Sequence, residues 1–245
     1  AFIDLQSATL GHTPLMDAVW HKQTSMVKFL LARNAKTSLQ SHYKATAMDF
    51  AQRDNLADIV KLIEERDRAD AALVKKQVLM KAVQKGDLAK VKKAIAEGAN
   101  VDEKAPMIGN EWDGYTPLHA AAVLGYAAIV HELLAAGANP RIVDGLMHAT
   151  PGHKAGYNGH AETARALVEN DNLELDAQGA YNGLTALHDA VWHGHTETVR
   201  VYLEAGARTD LRSATGKTPL ELAEQYGYEE IAAMIRAKMN EEAKK

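Results

Sequence analysis

The feature that most restricts how this chain can fold is that it keeps returning to the same residues at a nearly fixed interval. A threonine, or the residue in its place, stands at Thr13, Thr46, Gln77, Thr116, Thr150, Thr185 and Thr218, at spacings of 33, 31, 39, 34, 35 and 33. Five positions after each comes an alanine: Ala18, Ala51, Ala82, Ala121, Ala155, Ala190 and Ala223. A place that accepts only a methyl group seven times over marks two helices in close contact. Two positions after the threonine lie Leu15, Met48, Leu79, Leu118, Gly152, Leu187 and Leu220, apolar except at Gly152. Fourteen positions after it lie Val27, Val60, Val91, Val130, Ala164, Val199 and Ala232, on a second apolar helical face. A unit this small cannot bury its own apolar face, so stacking on its neighbours is what makes it stable.

Each unit reads as a turn, a short helix, a break and a longer helix. Gly86, Gly125, Gly159, Gly194 and Gly227 occupy the break. Asn34, Gly98, Gly137 and Gly206 end the second helix, where a left-handed residue is wanted. The stretch "GYTPLHAAAVLGYAAIVHELLAAGAN" (114–139) resembles an ankyrin repeat almost position for position, and "TPLMDAVW", "LTALHDAVWHGH" and "GKTPLELAEQYGY" are weaker copies. The resemblance extends over essentially the whole chain. It implies an all-α repeat solenoid of about seven units, stacked helix-turn-helix pairs with β-hairpin fingers projecting at right angles, and a function of binding other macromolecules.

A longer copy exists at an offset of 172. Asp17-Ala18-Val19-Trp20-His21 matches Asp189-Ala190-Val191-Trp192-His193, and residues 45–63 align with 217–235 without a gap. Both of these following units have the character of a closing repeat, whereas "VLMKAVQKGDLAKVKKAIAEGANVD" (78–102) lacks the threonine–proline turn and resembles an opening one. The expected organisation is therefore two ankyrin modules. The first spans 1–72, with a partial unit, then repeats at about 9–41 and 42–72, the latter cap-like. The second spans 73–245, with repeats at about 73–105, 112–145, 146–180 and 181–213 and a C-terminal cap at 214–245. Because "AFIDLQSATLGHT" aligns with "LELDAQGAYNGLT" (173–185), the chain begins inside a finger, and further repeats are expected before residue 1. Gly152 in place of leucine, and Asp171 in place of the helix-ending glycine, mark 146–178 as the loosest of the central units.

Three histidines within eight residues, His188, His193 and His195, raise the question of a metal or catalytic site. His119, His153 and His188 fall where the family's "TPLH" has its histidine, and the resemblance makes them structural. In the copy 172 residues earlier, His188 is Met16 and His195 is Gln23; only His193 has a counterpart, His21. Gly194 breaks the helix before His195, so one element does not aim three imidazoles at a point, and no metal or cofactor is expected. There is no phosphate-cradling glycine loop, HExxH or Gly-x-Ser-x-Gly, and the chain reads as no enzyme. Asp17 and Asp189, acids at equivalent places, fit a solvated or capping pattern.

The chain has no cysteine, which excludes disulfides and thiolate-bound metals. A net charge of −4 argues against nucleic acid. A run of Lys75, Lys76, Lys81, Lys85, Lys90, Lys92 and Lys93 against Asp87 alone is read as a solvated helical surface. No apolar run is long enough to cross a membrane, so none is expected as a partner. The expected chain is soluble, monomeric and cytoplasmic, a composition that also fits a bacterial periplasmic or secreted protein.

The resemblance places a partner on the concave face, formed by finger tips and the exposed side of the first helices. The positions that build it hold Trp20 and His21, Tyr43, Trp112 and Tyr115, Tyr157 and Asn158, Tyr181 and Asn182, Trp192 and His193, and Tyr226. Tryptophan and tyrosine dominate interface energetics, each commonly contributing ~2 kcal/mol or more. The insertion "APMIGN", source of the 39-residue spacing, lengthens the finger before Trp112. The expectation is a protein–protein interaction module centred on Trp112, Tyr115, Tyr157, Tyr181 and Trp192. Two other readings stand beside it: small-ligand or carbohydrate binding by the same aromatics, and a structural segment of a longer repeat protein.

Overall fold

The computed structural model describes residues 3–108, 110–145 and 147–243. Ala1, Phe2, Gly109, Leu146, Lys244, Lys245 and the side chain of Lys75 lie outside that description, including those that fall in the chain start, the insertion, the 146–178 unit and the lysine run. Fourteen helices, and no strand, are formed among the described residues. They come in seven pairs: α1 (Pro14–Trp20) with α2 (Thr24–Leu31), α3 (Ala47–Arg53) with α4 (Ala57–Lys76), α5 (Val78–Gln84) with α6 (Leu88–Ala96), and α7 (Pro117–Leu124) with α8 (Ala127–Ala135). Then follow α9 (Pro151–Asn158) with α10 (Ala161–Val168), α11 (Ala186–Trp192) with α12 (Thr196–Glu204), and α13 (Pro219–Tyr226) with α14 (Glu229–Glu242).

The repeated threonine explains where six of the first helices start. Thr13, Thr46, Thr116, Thr150, Thr185 and Thr218 are extended N-caps, each in a capping box with the third helical residue. Four of these helices also carry proline at the first position, where its missing N–H has no partner to lose. The seven aligned alanines are all buried, at 0–4% exposure, and so are six of the seven residues nine places further on, Val60 being half-buried. The fingers are tight turns closed by one or two backbone bonds rather than strand ladders: Gly179 N–H donates to Leu184 O at 2.8 Å, Ser213 N–H to Lys217 O at 2.9 Å.

The chain falls into two compact bodies. In the first, residues 3–77, α1 packs on α3 and α2 on α4 around Leu15, Val19, Phe50 and Ile63. Residues 105–113, which carry most of the insertion and Trp112, belong to this body: Lys36 forms an ion pair at 2.9 Å with the fully buried Asp113. The second body, 78–104 and 114–243, has the first helices α5, α7, α9, α11 and α13 packed in series, and the second helices α6, α8, α10, α12 and α14 in a parallel row.

Within the second body, successive units are fastened by rings that sit on the left-handed glycines of the break. A Cβ on Gly159, where φ is +73°, would lie 2.5 Å from the His195 ring; on Gly125, φ +75°, it would lie 2.8 Å from that of His160. His195 Nε2 meets Tyr157 O at 3.1 Å and His160 Nε2 meets Val123 O at 2.9 Å, so each ring also satisfies a carbonyl of the previous unit.

The unit with Gly152 is filled from elsewhere. Tyr202 of α12, fully buried, stands where the other units have leucine, isoleucine or alanine, and its hydroxyl donates to Gly152 O at 2.7 Å. Gly156, one turn on, lets α11 approach: a Cβ there would lie 2.5 Å from Ala186 O and 3.4 Å from Tyr202 Cε2. The missing side chain at Gly156 thus makes room for the Tyr202 ring, and Gly152 supplies the carbonyl that its hydroxyl meets.

Candidate functional site

The family histidines occupy themselves. The Thr116 hydroxyl lies 2.8 Å from His119 Nδ1 while His119 Nε2 reaches Ala149 O at 3.0 Å; His153 does the same with Thr150 and Leu184 O, and His188 with Thr185 and, at 3.2 Å, Lys217 O. Backbone N–H groups also point at these Nδ1 atoms, which makes each ring a neutral imidazole accepting at Nδ1 and donating at Nε2. Burial holds all three pKa values below the usual range, that of His119 down to about 4. These side chains tie neighbouring units together, and their ring nitrogens are spent on that.

The aromatic positions behave differently. In the second body, Tyr157 at 50% exposure, Tyr181 at 58%, Trp192 at 40% and Tyr226 at 43% are open, while Tyr115, Asn158, Asn182 and His193 are half-buried. Tyr157 is the last residue but one of α9, and Trp192 and Tyr226 end the next first helices, α11 and α13. Tyr115, Tyr157, Asn158, Asn182 and Trp192 meet around one hollow of about 640 Å³. Asn182 and Trp192 also line a second hollow of about 330 Å³, which continues to Tyr226. His193 fills the space behind, its ring 4.2 Å from that of Tyr157 and 5.2 Å from that of Trp192. Tyr181 stands at its finger tip with its ring edge-on to His148, 5.5 Å away.

In the first body Trp20 and Tyr43 are open, at 46% and 76%, as is His21. Trp20 and Tyr43 line a hollow of about 480 Å³ with Leu10, His12, Phe50 and Arg53. Shifted by 172, Leu10, His12, Trp20 and Tyr43 become Asn182, Leu184, Trp192 and Thr215, which line the smaller hollow of the second body. The duplication therefore carries a surface hollow with it. In the first copy the Arg53 guanidinium covers Trp20 at 4.6 Å; in the second, the neutral Gln225 takes the place of that arginine. Trp112 is half-buried in the first body's 105–113 segment.

Three charged residues, of which the repeat pattern brought out only Asp189, line or adjoin the larger hollow. Lys154 Nζ lies 2.5 Å from Asp144 Oδ2 and 4.9 Å from the Tyr115 ring centroid, and Asp144 is fully buried. The ion pair holds the Asp144 carboxyl below and the Lys154 ammonium above their usual ranges, against the burial that disfavours both charges. Asp189 is 7% exposed, and burial, opposed by the nearby Lys154, pushes its carboxyl up to about 7. The expectation for Asp189 is a capping or solvated role; its burial comes from stacking.

The models of two families match the chain: ankyrin repeats in three copies, over residues 47–144, 129–213 and 153–244, and a single ankyrin repeat over 10–41. Among curated relatives, the mitochondrial disaggregase of Bos taurus is 29% identical over 174 residues, covering 70% of this chain and 24% of its own length. The palmitoyltransferase ZDHHC17 of Danio rerio is 30% identical over 167 residues, covering 55% of this chain and 26% of its own. The human B-cell lymphoma 3 protein is 38% identical over 122 residues, 46% of this chain and 26% of its own. The chain thus spans about a quarter of the length of these relatives.

Proposed function

We propose that this chain, which belongs to the ankyrin-repeat family, binds a protein partner on the finger-and-first-helix face of its second body and performs no chemistry on it. Ankyrin repeats are in general protein–protein interaction modules, and the names disaggregase and palmitoyltransferase belong to proteins of which the chain matches only about a quarter. The observation that carries the reading is the run of open aromatic side chains on α9, α11 and α13, shared between two adjoining hollows. Exposed tryptophan and tyrosine grouped around concavities are the usual anchors of an interface, in contrast to single exposed aromatics, which are ordinary. A protein partner should bury upwards of ~1,000 Å² and engage several fingers, which suits a row from Tyr157 to Tyr226 better than a single sugar ring does.

The test compares three baits in host lysate: the parent chain, Tyr157→Ala/Trp192→Ala, and Trp20→Ala in the first body. The expected result is a protein held by the parent and by Trp20→Ala and lost by the double variant while circular dichroism shows it folded. Equal recovery on all three would reject this face; loss on Trp20→Ala alone would move the site to the first body.

A further inference from the structure

We propose that the larger hollow of the second body receives the cationic side chain of a partner peptide, a lysine or arginine whose stem lies against Tyr157 and Trp192 and whose charged head meets the Asp189 carboxyl. The inference rests on the reading that this face binds protein and gives the partner its chemistry.

It begins from two equivalent acids with unlike surroundings. Asp17 in the first body is open, its side chain 56% exposed, and it is answered by His12 Nδ1 at 2.9 Å. Its counterpart 172 residues on, Asp189, has lost that histidine to Leu184 and is 7% exposed. Among the described residues no hydrogen bond or ion pair holds its carboxyl; the Tyr202 hydroxyl, which is near enough to feel its charge, donates to Gly152 O instead. A buried polar group without a partner is costly, and a purely structural role would favour an apolar residue here. Asp189 instead lines the wall of a hollow of about 640 Å³ whose lining also includes Tyr115, Tyr157 and Trp192.

The charges then decide the sign of the guest. Lys154 is engaged with Asp144 at 2.5 Å, so those two cancel. His153 and His188 have both ring nitrogens in hydrogen bonds, and burial keeps them neutral, as it does His193. What is left over when Asp189 ionises is one negative charge. An anionic guest would need Lys154 drawn off Asp144; a cationic guest leaves that ion pair intact, and by favouring the ionised Asp189 it supplies the missing partner. The faces of Tyr157 and Trp192 add cation–π attraction in a partly dry setting.

The experiment uses the full chain and small probes, read by the indole N–H resonance of Trp192, assigned with Trp192→Phe. The probes are the Nα-acetyl amides of arginine, lysine, citrulline and glutamate. The arginine and lysine amides should shift the resonance saturably, with the neutral citrulline amide at least about tenfold weaker, because only the charged head gains from Asp189. Asp189→Asn should erase that preference. Equal binding of arginine and citrulline amides, or preference for glutamate, would overturn the proposal, and so would no shift of Trp192 with any probe. The arginine–citrulline comparison is made on the parent protein, so it holds even if the variant misfolds. A null result here beside Trp192-dependent capture would reject the cation pocket and leave the protein-binding face standing.

Discussion

Gly156→Ala isolates the packing argument, because two opposing effects of known sign meet at one methyl group. Alanine inside a helix is favoured over glycine by about 1 kcal/mol. Against that, the new Cβ would lie 2.5 Å from the carbonyl oxygen of Ala186, a backbone atom fixed at the start of α11. The shortfall from an ordinary contact is close to 1 Å, and neither α9 nor α11 can give way without disturbing Tyr202, whose Cε2 is 3.4 Å from the same point. Overpacking of this kind costs about 1–3 kcal/mol or somewhat more. Because the clash is with a backbone atom, the cost lies in the upper part of that range, so the steric term wins and the net loss should be about 1–2 kcal/mol. In a chain of this size each kcal/mol moves the thermal midpoint by about 2–4 °C, so the transition followed by far-UV circular dichroism should fall by about 2–8 °C. Gly152→Ala on the same helix supplies the opposite sign. Its Cβ would find only ordinary neighbours at 3.5, 3.7 and 3.9 Å, so propensity should prevail and the midpoint should hold or rise. A Gly156→Ala midpoint at or above the parent's would refute the reasoning.

Tyr202→Phe deletes the buried hydrogen bond to Gly152 O and keeps the ring, so urea unfolding should show a loss of about 1 kcal/mol. Lys154→Met removes the ammonium that balances the fully buried Asp144 carboxylate and should destabilise by about 3 kcal/mol, with Asp144→Asn added on top recovering part of it; an unchanged urea midpoint would contradict the buried pair. His119, neutral in the fold with a pKa of about 4 against 6.5 unfolded, binds its proton more readily in the unfolded chain. Stability should therefore fall as pH drops from 6.5 towards 4, by up to about 3 kcal/mol from this group, and its NMR titration should have its midpoint near pH 4. Asp189 has the opposite sign: its folded pKa of about 7 lies above the ordinary 3.8, so its contribution, full below 3.8, is lost as pH rises to and through 7, and Asp189→Asn should raise the thermal midpoint at pH 8.

The fold was legible because each repeat repeats its own reasons. The threonine caps, the aligned alanines and the glycines of the break act within one unit or between adjacent ones, and seven copies make such short-range requirements visible. What could not be read were compensations between different positions of different units. Gly152 looks like a defect until Tyr202, fifty residues later, is seen to donate its hydroxyl to the Gly152 carbonyl. The aromatic row was legible, since tyrosine and tryptophan at fixed offsets from the threonine need no partner to be noticed. The charges beside it were not. Lys154, Asp144 and Asp189 stand in separate units, and their burial comes from stacking rather than from any local pattern. Sequence likewise grouped Trp112 with Tyr115 as neighbours in one finger, whereas the fold gives Trp112 to the first body through the Lys36–Asp113 pair.

The most direct test of a partner seated on the fingers and first helices is photo-crosslinking from two positions of the second body. One carries a photoreactive phenylalanine analogue at Tyr181, on a finger tip; the other at Arg165, on α10 in the row of second helices. Crosslinks from Tyr181 to the captured protein, with none from Arg165, are the predicted result. Crosslinks from Arg165 and none from Tyr181 would place the partner on the second helices and contradict the account.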